Sequence, residues 1–182
     1  MASELEDPRS VSLPWPLIVI DFEASALGMR SYPIEVGLAR WQSIDAPLEV
    51  WSTLIRPTDG WLLGGVWNPE AEAVHGIRKD DLSSGMPPAD VMAHINEMAS
   101  NPFAWCDGGS QDDHWLGTLA HAASVVPRFR LADWDMLGGA LSSDGYRRMV
   151  RWLETSPPPH RAGDDAARLL RAVAVGLGQG LD

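Results

Sequence analysis

In the stretch VIDFEAS, Asp21 and Glu23 stand two residues apart at the end of a β-branched and aromatic run. On a strand that spacing sends both side chains to one face, separated by roughly 6–7 Å of backbone rise. Two carboxylates so placed repel each other and resist desolvation unless a positive charge sits between them. A divalent cation would meet both needs, and hard oxygen donors favour Mg²⁺ or Mn²⁺ over zinc. The same pattern also fits a strand that ends in solvent with acids on it.

Further acids recur at two helix starts. CDGGSQDDHWL carries Asp107, Asp112 and Asp113, where a helix N-terminus tolerates negative charge. Asp112 is in helical phase with Trp115, Leu116 and Leu119 and leans inward, whereas Asp113 lies one step round and stays wet. Asp107 fits the opening of the glycine turn. In PPPHRAGDDAARLL, Asp164 precedes Arg168 by four residues, the spacing of a surface ion pair, whereas Asp165 precedes Leu169 by four and flanks the apolar stripe. Asp165 is therefore the inward candidate. Behind three prolines, His160 sits in an extended loop, free to act as a proton acceptor or to be an ordinary surface residue.

The elements that must position these residues are legible in outline. PLIVIDFE, IEVGLARWQ and LEVWSTLIRP read as three successive strands, and their short links favour antiparallel neighbours. PPADVMAHINEMAS repeats Val91, Ile95 and Met98 at helical spacing, and PFAWCD reads as a brief buried strand. Leu116, Leu119, Ala120 and Ala123 mark a second helix. A third is helical at least from Tyr146, with a break at Gly138, Gly139 and Gly145. Ala166, Leu169, Leu170 and Val173 line a last one. Three strands followed by helices alternating with one or two more strands describe an α/β domain with a mixed central sheet. The expected organisation is a loose arm over 1–13, one domain over 14–176 and a frayed tail over 177–182. In AVHGI, Gly76 reads as a helix C-cap and His75 as structural rather than catalytic.

The 182 residues are 45% hydrophobic, which suits a single core. A lone cysteine, Cys106, forms no internal disulfide and points to a reducing, cytoplasmic setting. VSLPWPLIVI is interrupted by prolines, preceded by ELED rather than by basic residues and too short to span a bilayer, so neither a signal peptide nor a membrane span is expected. A net charge of −11 argues against a long footprint on duplex DNA. That charge is uneven: residues 1–127 carry 18 acids and 6 bases, residues 128–182 carry 7 acids and 8 bases. Any phosphate-binding surface should draw on the C-terminal third, where Arg147, Arg148 and Arg151 otherwise read as a solvated helix face.

Taken in order, DFEAS…YPIEVGLA, VHGI, DDHWL and HRAGDDA resemble the motifs of the DEDDh family of 3′-to-5′ exonucleases, which includes proofreading subunits, ribonuclease T and oligoribonuclease. The resemblance covers residues 15–173. It implies a ribonuclease H-like fold, a five-stranded mixed sheet with helices on both faces. It further implies that Asp21, Glu23, Asp112 and Asp165 bind two Mg²⁺ or Mn²⁺ ions and that His160 is the general base. Phe22, Ala24, Ser25, Leu27 and His75 are then the expected substrate contacts, with Leu27 placed to wedge against a terminal base. DGGSQ and Ala24–Ser25 depart from the family pattern, which keeps Asp107 as a competitor for Asp112 and alters the terminal-nucleotide contacts. The implied activity is release of nucleoside 5′-monophosphates from short or single-stranded DNA or RNA 3′ ends. Two rivals are a nuclease-like scaffold without catalysis and a phosphodiesterase of dinucleotides or small nucleotide conjugates. A homodimer, or docking on a polymerase or RNA-processing partner, is compatible with the resemblance.

Overall fold

The computed structural model describes residues 12–181. Its five-stranded sheet has the order β3-β2-β1-β4-β5. β1 (Leu17–Ala24), β2 (Pro33–Trp41) and β3 (Leu48–Leu54) form an antiparallel meander, as short links dictate. β4 (Phe103–Cys106) and β5 (Arg130–Asp133) add in parallel on the other side of β1, each reached through helices. The expected α/β class and mixed five-stranded sheet are the observed ones.

β1 is the central strand, and its alternation sorts the two faces. Leu17 and Val19 point into one core with α7 (Ala162–Gly176), and Ile18, Ile20 and Phe22 into another with α3 (Pro88–Met98) and α4 (Ser110–Ala123). Ile18, Val19 and Ile20 have no exposed surface; each such burial stabilises by about 1.5–3 kcal/mol. Val91 and Ile95 do face the core from α3, as their spacing requires.

Between β3 and α3 lie elements that periodicity did not reveal: α1 (Asp59–Gly64), α2 (Pro69–His75) and a 3₁₀ helix at Lys79–Ser84. They are too short to show a repeat and rest on caps instead. Thr58 accepts from the Trp61 N–H, Asn68 accepts from the Glu70 N–H, and Gly76 closes α2 at φ 69°. Beyond β5, α5 (Asp135–Gly139) and α6 (Ser143–Thr155) are separated by residues 140–142, just past Gly138 and Gly139, with Ser142 capping α6; Gly145, expected in the break, lies inside α6.

The packed region is wider than 14–176. Most of the expected arm lies outside the described residues, but Leu13 is buried in the α7 core, and so is Leu177 from the expected tail. Both are apolar side chains packed into that core from outside the helical repeat of α7.

One glycine fixes how α7 meets the sheet. Gly37 pairs with Asp21 across β1 and β2, and a Cβ there would strike the backbone of Ala162 and Gly163. The close approach needs a residue with no side chain. Gly37→Ala is expected to lower stability toward the upper end of about 1–3 kcal/mol, read as a denaturant midpoint. An unchanged midpoint would mean that α7 is not held there.

Candidate functional site

Asp21 and Glu23 continue the odd-numbered face of β1, so they project toward α7 rather than α4. α7 begins directly over that face and supplies Asp165 from its first turn. Oxygens of Asp21, Glu23 and Asp165 lie within 4.8 Å of one another, all three residues partly buried. Asp165 is held in place: its Oδ2 accepts from the Arg161 N–H at 3.0 Å, and its own N–H donates to the Arg161 carbonyl at 2.9 Å. Asp164 is exposed, as the phase argument requires, but it does not pair with Arg168. Arg168 instead donates to the Ser156 and Leu153 carbonyls at the end of α6, at 2.5 and 3.1 Å. Unsatisfied carbonyls at a helix end outcompete an exposed carboxylate that water already solvates.

Asp112 comes from the opposite layer, at the mouth of α4. It is 1% exposed while Asp113 is open to solvent. Its Oδ2 accepts from the Gly108 N–H at 3.0 Å, and the buried Cys106 thiol is a second partner. Gly108 permits this, because a Cβ there would lie 2.6–2.8 Å from the Asp112 carboxylate. Asp112 stands outside the three-carboxylate cluster but acts on it, being the strongest charged neighbour of Asp21. Asp107 is exposed, two residues beyond the paired Val19 and Trp105 on the strand next to Asp21, and its charge also bears on Asp21 and Asp112. Of the two, Asp107 is the exposed one and Asp112 the buried one.

His160 is exposed, at φ 57°, on the loop between α6 and α7. A non-glycine residue in that region is uncommon and stores strain. Its imidazole is near enough to Asp165 to favour the ionised carboxylate. Next to it, Arg161 holds Glu35 through Nε at 3.0 Å and Nη2 at 2.5 Å, and the Ala162 N–H donates to the same carboxylate at 3.0 Å. Glu35 is 2% exposed and lies directly across from Glu23 in the β1–β2 register. Sequence reasoning missed this pair. The available signal was an acid inside the apolar strand PIEVGLA, since a buried carboxylate demands a partner.

Glu23 also borders a cavity of about 300 Å³ lined by Phe22, Ala24, Leu27, His75 and Trp115, among others. Four of the five expected substrate contacts are thereby gathered beside the carboxylates. Ser25 is turned away: it is 1% exposed and its Oγ accepts from the Tyr32 N–H at 3.0 Å. The loop carrying Leu27, 79% exposed, is clamped to α4 by a bond from the Gly28 N–H to Gln111 and one from Trp115 Nε1 to Ser31 Oγ. His75 is 6% exposed, and its Nδ1 accepts from the Ile77 N–H at 3.0 Å, which leaves the proton on Nε2. Nε2 is buried and, among the described residues, makes no hydrogen bond of good geometry, although the Ala24 carbonyl lies near. Burial holds the His75 pKa below its ordinary value, so a neutral donor borders the cavity.

The electrostatics test whether these residues suit a cation. Burial, then Asp112, Glu23 and the other acids, push the Asp21 carboxyl well above its usual range. Burial and then Asp165 push Glu23 from 4.5 up to about 7. Burial pushes Asp112 from 3.8 up to about 6, against the opposing effect of its hydrogen bonds. Arg161 is the cation that favours Glu23 ionisation, yet its guanidinium is bonded to Glu35. Three converging oxygen donors short of positive charge fit a hard divalent ion such as Mg²⁺ or Mn²⁺.

Raised carboxylate pKa values have a sign. Between about pH 4 and pH 7 the native state keeps protons that the unfolded chain has released, so stability falls as pH rises through that window. In chelator, the melting temperature is expected to drop between about pH 5 and pH 7.5 from these groups. Adding Mn²⁺ should raise it most at the upper end, because protons compete with the ion at the lower end. Differential scanning fluorimetry reads both; a metal-induced rise that does not grow with pH would contradict the assignment.

No known family profile matches the chain, and no curated protein matches it in sequence. Solved structures do match. The chain is similar to a 3′-exonuclease described in 3′-end-specific recognition of a histone mRNA stem-loop, with 14% identity over 90% of this chain and 82% of that one, TM-score 0.67. It is similar to a full-length 3′-exonuclease, with 13% identity over 93% and 85% of the two chains, TM-score 0.67. Cell-death related nuclease 4 matches at 10% identity over 89% and 64%, TM-score 0.64. The likeness shows the fold, which this chain shares with these solved nucleases. Among the described residues no helix is long and apolar enough to cross a membrane.

Proposed function

We propose that the chain is a metal-dependent 3′-to-5′ exonuclease of DEDDh type that releases nucleoside 5′-monophosphates from short or single-stranded DNA or RNA ends. The observation that carries the proposal is the convergence of Asp21, Glu23 and Asp165 at the edge of a cavity of about 300 Å³. That volume is at the low end for small-molecule sites and suits one terminal nucleotide rather than a long segment.

Asp21, Glu23 and Asp165, with Asp112 beside Asp21, would hold two Mg²⁺ or Mn²⁺ ions, which when bound supply the charge that polarises a phosphoryl oxygen and acidifies a water. His160 takes the proton of the attacking water at an imidazole nitrogen. As the water oxygen bonds to phosphorus, the bond to the 3′ oxygen of the preceding nucleotide breaks. That oxygen takes a proton and leaves as the new 3′ hydroxyl. The Glu35–Arg161 pair fixes the residue after His160 and the first turn of α7, which keeps the base and Asp165 in one frame. His75 offers its Nε2 proton to an acceptor in the cavity, and Leu27 presents an exposed apolar face to the terminal base.

A second reading, hydrolysis of dinucleotides or small nucleotide conjugates, is favoured by the cavity size and the net charge of −11. End-labelled single-stranded DNA, RNA and dinucleotides are to be digested with Mn²⁺ and the products resolved. Stepwise loss from the 3′ end of DNA or RNA supports the exonuclease, and the faster of the two gives the preferred sugar. Cleavage of dinucleotides alone supports the second reading. Metal binding with no hydrolysis of any of them leaves the scaffold.

A further inference from the structure

The carboxylates and the terminal-nucleotide cavity contain no uncommitted cation, yet a strand entering them must thread an acidic molecule. α6 carries what they lack. Arg147, Arg148, Arg151 and Thr155 fall on one side of the helix at i, i+1, i+4 and i+8, and with Trp152 they line an open groove of about 570 Å³. The charges there are largely uncompensated. Arg148 donates to the Val175 and Gly176 carbonyls at the end of α7, which are neutral and leave its charge intact. Arg147 pairs with Asp144, but both are more than 60% exposed, so water weakens that pair. The exposed Arg151 guanidinium has no hydrogen bond or ion pair among the described residues, although Glu154 stands one turn further on.

At its Thr155 end the groove leads toward the loop that carries His160, and its other end meets Val175 near the end of α7. Thr155 ends α6, and its last carbonyls are gripped by Arg168, three residues beyond Asp165 on α7. The chain between Thr155 and His160 spans at most about 18 Å. We infer that this groove binds the phosphates of the single strand upstream of the nucleotide being removed, with Arg151 as its principal contact and Arg147 and Arg148 beside it. The inference rests on the hydrolase reading for its orientation but not for its chemistry, which is recognition of a phosphodiester backbone by guanidinium groups.

Two or three phosphates held in the groove predict a modest salt dependence. The logarithm of KM for a strand of about 12 nucleotides should rise with the logarithm of salt at a slope of about 2. Arg151→Glu should raise that KM about 10-fold, lower the slope by about 0.7, and reduce the preference for the 12-mer over a dinucleotide; Arg151→Lys should recover most of the loss. Because Arg151 is exposed, the melting temperature checks that Arg151→Glu is folded. An unchanged slope and length preference in folded Arg151→Glu overturn the assignment. So does a result in which the variant loses binding to a polyglutamate peptide of like length but keeps the wild-type KM for the strand, since the groove would then serve an acidic peptide. If the wild type hydrolyses neither substrate, the hydrolase reading fails separately. The groove is then judged by fluorescence anisotropy of the labelled 12-mer with wild type and Arg151→Glu, where equal affinities overturn it.

Discussion

Asp21→Asn is expected to reduce metal-dependent trimming of 3′ ends by more than about 10³-fold, since the charge it helps to anchor supplies several kcal/mol of stabilisation to the reacting phosphate. The same substitution should make the metal-free protein more stable, not less. Asp21 sits at the centre of the acidic group, where burial, Asp112, Glu23, Asp107 and Asp165 all oppose its ionisation. Asparagine keeps the shape and removes the repelled charge. The melting temperature in chelator at about pH 7.5 should therefore rise, while the Mn²⁺-induced increase seen in the wild type should shrink or vanish. Loss of activity together with a fall in metal-free stability would point to a damaged fold. Full activity would end the two-metal proposal, because Asp112, Glu23, Asp107 and Asp165 all bear on Asp21.

His160→Ala is expected to lower kcat by about 10²- to 10⁴-fold, the usual cost of losing a general base. The metal response should survive, because His160 stands outside the cluster formed by Asp21, Glu23 and Asp165. At saturating Mn²⁺, wild type and variant should differ in the pH profile of kcat, since only the wild type carries the base. Saturation matters, because with no ion bound Glu23 titrates at about 7 and Asp112 at about 6. Added imidazole should restore part of the rate in His160→Ala, since the exposed position leaves room for a small base. A variant that retains wild-type kcat and its pH profile would remove His160 from the reaction and leave its φ of 57° as a feature of the loop alone.

The two substitutions separate holding an ion from moving a proton, and the structure explains why they should be separable. Asp21 is on the central strand, surrounded by backbone fixed on both sides. His160 is on a loop that Arg161 anchors from one end and Arg168 from the other.

Local periodicity was enough to read much of this protein. Alternation along VIDFEAS put Asp21 and Glu23 on one face, and helical phase distinguished Asp112 from Asp113 and Asp165 from Asp164. Short links were enough to make β1, β2 and β3 antiparallel. These are statements about direction, which a residue's nearest neighbours in the chain decide. Partners are another matter. The pairing of Arg161 with Glu35 spans 126 residues, and Arg168 abandoned the acid four residues away for carbonyls on α6. The bare backbone of Gly37 opposite Asp21 matters only because α7 crosses there. Burial of Leu13 and Leu177, and the orphaned Nε2 of His75, likewise depend on which surface each residue meets. The chain sets which way a side chain points; packing of layers distant in sequence sets what it finds there, because hydrogen bonds and exclusion of water act through space.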